Sequence, residues 1–127
     1  MENFFTSLNI KLEIDDKQGI AVAYNNLGLT YGHQGNYPEA LRNYLVALKF
    51  YDEIADKKGI AYAYNNIGLI YRSQGNYPEA LKNYFASLKI KEEIGDKRGI
   101  ASSYGNIGNI YSEQGNYQEA LKKWSKN

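Results

Sequence analysis

The order of apolar and polar residues along the chain predicts helices. In the segment that begins at Tyr77, the apolar residues follow a helical spacing: Ala80, Leu81, Tyr84, Leu88 and Ile94. Side chains three or four residues apart lie on one side of an α-helix and can pack together. No segment alternates apolar and polar residues with a period of two, so we predict an all-α fold without strands.

The helical pattern repeats every 40 residues. The pair Gly-Ile occurs three times at this interval, first at Gly19. The sequence Gln-Gly-Asn-Tyr also occurs three times at this interval, first at Gln34. Roughly two-thirds of the positions are identical between residues 21–60 and 61–100. A fixed period of this length indicates repeated units that stack on one another, because a single helical pair cannot bury its apolar face.

Each repeat is predicted to contain two helices, which we call helix A and helix B. In the second repeat, helix A follows Asp56, a good N-cap residue, and stops near Gly75, which can adopt the left-handed conformation. Helix B starts at Tyr77, followed by Pro78 and Glu79. Proline loses no hydrogen bond in the first turn, and glutamate there complements the helix dipole.

The chain begins and ends out of phase with this unit. Residues 1–20 align with 81–100, so the N-terminus corresponds to a helix B alone. We therefore predict a single domain over residues 1–127 with seven helices. It divides into a lone helix B, two full repeats and a truncated third repeat: residues 1–16, 17–56, 57–96 and 97–127.

The repeated residues resemble the signature of the tetratricopeptide repeat. In the second copy the matching residues are Tyr64, Ile67, Gly68, Tyr71, Ala80 and Tyr84. The other copies begin at Tyr24 and Tyr104, and the third places Trp124 in the last position. The period of 40 exceeds the family's usual length of about 34 residues, and the closing proline is absent, which is similar to the long-helix type. The resemblance implies a right-handed α-solenoid with a concave groove for a partner protein.

The groove residues follow from the same resemblance. The signature residues of helix A face helix B, and the opposite side of helix A lines the groove in this family. In the three repeats that side carries Val22, Asn25, Asn26, Leu29, Gly32 and His33; Tyr62, Asn65, Asn66, Leu69, Arg72 and Ser73; and Ser102, Gly105, Asn106, Asn109, Ser112 and Glu113.

Three asparagines occupy the same position in successive repeats: Asn26, Asn66 and Asn106. An asparagine side chain both donates and accepts hydrogen bonds, so such a ladder can hold the backbone of an extended peptide. Alternatively, the three amides bond to neighbouring helices and set the angle between repeats. With the first interpretation, the chain is a protein–protein interaction module that binds an extended or helical peptide.

The ends of the repeat array predict a second possibility, a self-assembling scaffold. Solenoids normally end in a polar cap that covers the last apolar face, and this chain has none. The residues expected to associate are Phe4, Phe5, Leu8, Leu12 and Trp124. They favour a homo-oligomer formed through uncapped or exchanged ends.

Composition argues against several other classes of protein. Lys and Arg number 15 against 14 for Asp and Glu, so a basic surface for nucleic acid is not expected. There is no Cys, and His33 is the sole His, so we expect no metal site, no cofactor and no catalytic activity. No segment approaches the roughly 20 apolar residues of a membrane span. We expect a cytoplasmic protein.

Overall fold

The computed structural model describes residues 16–115 and 122–123. Residues 16–115 form five helices, which are α1 (Asp16–His33), α2 (Tyr37–Glu53), α3 (Lys57–Ser73), α4 (Tyr77–Ile94) and α5 (Lys97–Glu113). No strand occurs in this part of the chain, so the predicted all-α helical-repeat fold is confirmed. The segments predicted to form the lone first helix and most of the truncated last helix fall outside the described residues, although Lys122 and Lys123 are helical.

The helices begin and end where local signals placed them. Each helix A is followed by a glycine with positive φ: 77° at Gly35, 75° at Gly75 and 81° at Gly115. At the start of α5, Asp96 Oδ1 accepts a hydrogen bond of 3.0 Å from the backbone N–H of Gly99. The hydrogen bond from Gly99 satisfies a backbone N–H that the start of a helix leaves without an intrahelical partner.

Helix A lies close to helix B because each signature glycine has no side chain. A Cβ added at Gly68 would lie 2.8 Å from Tyr84 Cδ1 and 3.2 Å from the carbonyl oxygen of Ala80. At Gly28 the same atom would lie 2.6 Å from the ring of Tyr44. The two helices therefore approach each other closely at the signature glycine in both of these repeats.

The core between α4 and α5 consists of the buried side chains Ala80, Tyr84, Leu88, Ile107 and Ile110. A polar contact also joins the two helices, because Lys91 Nζ donates to Ser103 Oγ over 3.1 Å. Burial of this ammonium lowers the pKa of Lys91, against an opposing effect of Asp96.

Ile94 does not join this core, and the prediction that it shares the apolar face of helix B was wrong. Its side chain is exposed. At about 100° per residue, the ten positions that separate it from Tyr84 rotate Ile94 roughly 80° off the buried side of the helix.

The chain divides into two compact units, Met1–Asp56 and Lys57–Asn127. The division coincides with the predicted boundary between the first two repeats, while the prediction of a single domain remains a prediction. An ion pair of 3.5 Å recurs at one position in each unit, Lys17 with Glu53 and Lys57 with Glu93. No helix in the described part of the chain has the length and apolar character needed to cross a bilayer.

Candidate functional site

The candidate site is the surface on which α3 and α5 contact each other through polar side chains, and we call it the α3–α5 face. The predicted groove residues of the second unit all lie on these two helices: Tyr62, Asn65, Asn66, Leu69, Arg72, Ser73, Ser102, Asn106, Asn109 and Glu113. Two polar contacts across this face connect the helices directly.

The first contact joins two asparagines. Asn106 Nδ2 donates to Asn65 Oδ1 over 2.9 Å, and both side chains are half-buried. The bonded positions are 41 residues apart, so α5 is offset by one residue against the 40-residue repeat. An amide has more donors and acceptors than one bond uses, so each of the two side chains can make further hydrogen bonds.

The second contact is an ion pair between Arg72 and Glu113, again 41 residues apart. Arg72 Nε donates to Glu113 Oε1 over 2.8 Å, and Nη2 bonds to the same oxygen. This hydrogen bond raises the pKa of Arg72 and lowers that of Glu113. The carboxylate of Glu113 thus compensates the positive charge of Arg72 on this face.

Tyr84 of α4 lies buried close to this ion pair. Within the described part of the chain, its hydroxyl has no partner at hydrogen-bond geometry. Burial raises the pKa of Tyr84 to about 12, although the positive charge and the polar interaction of the nearby Arg72 act in the opposite direction. The hydroxyl therefore stays neutral at physiological pH.

Two large apolar side chains on α3 point to solvent. Tyr62 is 48% exposed and Leu69 is 36% exposed. Seven residues are about two helical turns, so both lie along one line on the helix, about 10 Å apart. The two side chains therefore form one row of apolar surface on α3.

The three asparagines of the predicted ladder have different surroundings. Asn26 on α1 is exposed, Asn66 is 3% exposed, and Asn106 is half-buried and bonded to Asn65. Asn66 also has an interaction partner. The bond made by Asn106 supports the alternative interpretation, in which the amides connect helices, for one position of the ladder.

The predicted groove residues of the first unit all lie on α1. Val22, Asn26 and His33 are exposed, Leu29 is half-buried and Asn25 is buried. Asn25 is engaged with a partner, so its amide is not offered freely to a ligand. The predicted association residues Phe4, Phe5, Leu8, Leu12 and Trp124 fall outside the described residues.

Sequence reasoning placed both members of each polar pair on one face but did not pair them. The signal was present, because Arg72 and Glu113 carry opposite charges at positions one residue away from the 40-residue period. The structure shows that residues 41 apart in the sequence, rather than residues 40 apart, face each other on α3 and α5. In the described ranges no group of three or more His, Asp or Glu is placed to hold a metal ion.

Family models and solved structures were compared with the chain. Two models described as tetratricopeptide repeat match residues 59–123 and residues 20–54. No curated protein sequence gives a significant match.

Three similar solved structures show the fold. The TPR domain of Arabidopsis FLU has 24% identity and a TM-score of 0.80, and the match covers 87% of this chain and 92% of that one. BtubC (BKLC) from P. vanneervenii has 21% identity and a TM-score of 0.78 over 98% of this chain and 52% of that one. The N-terminal domain of stress-induced protein-1 (STI-1) from C. elegans has 18% identity and a TM-score of 0.74, with coverages of 89% and 85%.

Proposed function

Since the chain belongs to the tetratricopeptide repeat family, we propose that its α3–α5 face binds a peptide segment of a partner protein. The family is one of protein–protein interaction modules, and the face supplies what such a contact needs. The observation that carries the proposal is the exposed pair Tyr62 and Leu69 beside the Asn65–Asn106 amides.

The spacing of the apolar pair fits two forms of peptide. Tyr62 and Leu69 are separated by about 10 Å along α3. Residues seven apart on a helix lie on one side and span a similar length. On an extended strand, residues two or four apart share a side, and their separations of about 7 and 13 Å lie on either side of this value. We therefore propose an extended or helical ligand with two apolar anchors at this distance.

The charges on the α3–α5 face favour a ligand that binds without a carboxylate group of its own. Arg72 is the cationic group among the predicted groove residues of the second unit, and Glu113 already compensates it. A ligand carboxylate would have to replace Glu113 and would leave that side chain without its partner. We propose that apolar contacts and amide hydrogen bonds anchor the peptide.

The test starts from a displayed library of random peptides, and calorimetry then measures the affinity of a selected peptide for variants of the full chain. We expect Tyr62→Ala and Leu69→Ala each to lose about tenfold or more in affinity, because a buried large apolar side chain contributes about 1.5–3 kcal/mol.

The matched control for this test is Phe85→Ala on α4. Phe85 has an exposed fraction close to that of Leu69 but lies on helix B, outside the face. Its replacement should change the affinity by less than about twofold. The proposal fails if Phe85→Ala weakens binding as much as Leu69→Ala, or if no peptide binds.

Self-assembly is the second candidate function. Leu45 on α2 and Phe85 on α4 occupy equivalent positions of their repeats, and both are exposed. Exposed apolar residues that recur on helix B of each unit favour contacts between copies of the chain. The mass of the protein without ligand separates this candidate from peptide binding. The absence of catalytic activity and a cytoplasmic location stay predictions beside either function.

A further inference from the structure

The charged pair of Arg72 and Glu113 is peculiar to one part of a nearly repetitive chain. The equivalent positions of the other repeats carry neither an arginine nor a carboxylate: Gly32, His33, Ser73 and Ser112. The repeat therefore forms without this pair. Both side chains are about one-third exposed, and an ion pair with such exposure adds little to stability. Stability alone does not account for the two charges.

Donor groups from α3 and α4 surround the carboxylate of Glu113. Arg72 donates through Nε and Nη2, and both bonds end on one oxygen, Oε1. The hydrogen bond from Arg72 is the main cause of the lowered pKa of Glu113, and a polar interaction with Tyr77 of α4 lowers it further. The Tyr84 hydroxyl lies beside the pair: burial is the main cause of its raised pKa, and the charges of Arg72 and Glu113 both act on it.

These donors exceed what the side chain of Glu113 accepts. Tyr84 is 0% exposed, and among the described residues no acceptor has hydrogen-bond geometry to its hydroxyl. A guanidinium has a fork of N–H donors that matches both oxygens of a carboxylate, whereas Glu113 receives two of these donors on a single oxygen. Since a buried hydroxyl without an acceptor is unfavourable, the arrangement has capacity for an anion placed nearer to Tyr84.

We infer that Arg72, Tyr77 and Tyr84 form a carboxylate-binding subsite of the α3–α5 face and that Glu113 occupies it in the free chain. Arg72 follows Leu69 by three residues, so the subsite adjoins one apolar anchor of the proposed peptide site. Glu113 thereby determines specificity, because its charge repels an acidic ligand residue from the position beside Leu69. The effect on specificity rests on the proposed peptide binding, whereas the subsite exists without it.

Sodium acetate tests the subsite in the absence of any peptide. In the full chain with Glu113→Ala, acetate can take the place of the missing carboxylate, and binding to the folded state stabilises it. In urea denaturation, replacing about 0.3 M sodium chloride by sodium acetate should raise the folding equilibrium constant of Glu113→Ala. We expect this rise to be at least about threefold larger than that of the wild type, which corresponds to a dissociation constant near 0.15 M.

Glu39→Ala is the matched control, because it also removes the carboxylate partner of an arginine. That arginine, Arg42, pairs with Glu39 within α2, and its side chain is 68% exposed. A solvated guanidinium holds a small anion weakly. Acetate should therefore affect Glu39→Ala as it affects the wild type.

Two further replacements in the Glu113→Ala background identify the donors. Arg72→Gln should abolish the effect of acetate, and Tyr84→Phe, which keeps the ring and removes only the hydroxyl, should reduce it. The subsite is overturned if acetate affects Glu113→Ala no more than Glu39→Ala. It is also overturned if the effect survives Arg72→Gln or is unchanged by Tyr84→Phe.

Peptide selection tests the role of Glu113 in specificity. A displayed random library is selected against the wild type and against Glu113→Ala, and we expect only the variant to select peptides with an Asp or Glu beside an apolar anchor. Changing this acidic residue to its amide should weaken binding to Glu113→Ala at least about tenfold in calorimetry, since a hydrogen bond to a charged group is lost. The same change should strengthen binding to the wild type.

The two measurements separate failure of the subsite from failure of the peptide site. If acetate stabilises Glu113→Ala as expected but neither protein selects a peptide, the proposed function fails and the subsite stands. If peptides bind but the acidic residue affects the wild type and Glu113→Ala equally, the role of Glu113 in specificity is overturned and the peptide site stands.

Discussion

At Gly68, a single hydrogen in place of a side chain decides how close two helices lie. Alanine there would place Cβ 2.8 Å from Tyr84 and 3.2 Å from the Ala80 carbonyl oxygen, inside normal contact distance. We predict that Gly68→Ala lowers the free energy of unfolding by about 1–3 kcal/mol in urea denaturation.

Gly19→Ala is the control for this prediction. The nearest atom to its added Cβ is Asp16 Oδ1 at 4.0 Å, so the replacement meets no obstacle. It should stabilise α1 by about 0.5–1 kcal/mol, because alanine loses less backbone entropy than glycine in a helix. Equal effects of the two replacements would contradict the packing argument.

Two asparagines of the predicted ladder allow its two interpretations to be compared. Asn66 is buried and engaged, whereas Asn26 is exposed. We predict that Asn66→Ala lowers the free energy of unfolding by about 1–3 kcal/mol, since it strands a buried polar group, and that Asn26→Ala changes it by less than about 0.5 kcal/mol. Thermal unfolding of both variants measures this difference. A neutral Asn66→Ala that weakens peptide binding would instead favour the ligand-gripping interpretation.

The Arg72–Glu113 pair should make stability depend on pH in the acid range. The hydrogen bond from Arg72 lowers the pKa of Glu113 in the folded state. The contribution of the pair is therefore present above the unfolded pKa of about 4.3 and is lost as pH falls through the lower folded value. Because both side chains are about one-third exposed, we expect only about 0.2–1 kcal/mol.

Urea denaturation of the wild type and Glu113→Gln at several pH values measures this contribution. Glu113→Gln should be less stable at pH 7, and the difference should shrink below about pH 4. A difference that stays constant through the acid range would show that the carboxylate charge is not responsible.

At the scale of one element, the start of α5 depends on its N-cap. Asp96 accepts a hydrogen bond from Gly99, whereas Asn36, at the same position before α2, makes no side-chain cap bond. We predict that Asp96→Ala costs about 1 kcal/mol of stability and that Asn36→Ala costs less than about 0.5 kcal/mol. Chemical denaturation of the two variants compares these costs, and a larger loss for Asn36→Ala would refute the assignment.

For the whole molecule, the expected behaviour is self-association. The exposed side chains of Leu45 and Phe85 add to the apolar residues predicted at the chain ends. Contacts that bury several such side chains between copies favour a dimer or larger oligomer. Light scattering over a range of protein concentrations should give a mass that rises above the 14.4 kDa of one chain. A constant monomer mass would rule out self-assembly as the function.

The sequence by itself determined the helices and their boundaries. Signals such as Asp96, Pro78 and Gly75 act within a few residues of the chain, so each can be interpreted without knowledge of the fold. The 40-residue period determined the repeat family, because three copies of one signature are specific. The face of helix A that carries Tyr62 and Leu69 also followed from helical geometry alone.

The tertiary structure decided what equivalent residues do. Asn26 and Asn66 stand in the same position of nearly identical repeats, yet one is exposed and the other buried. Leu27 and Ile67 differ in the same way. Burial depends on which element lies alongside, and the 41-residue pairing of Arg72 with Glu113 depends on the offset between two helices. Neither quantity is a property of a residue and its neighbours in sequence, so periodicity predicts the face but not the contacts made on it.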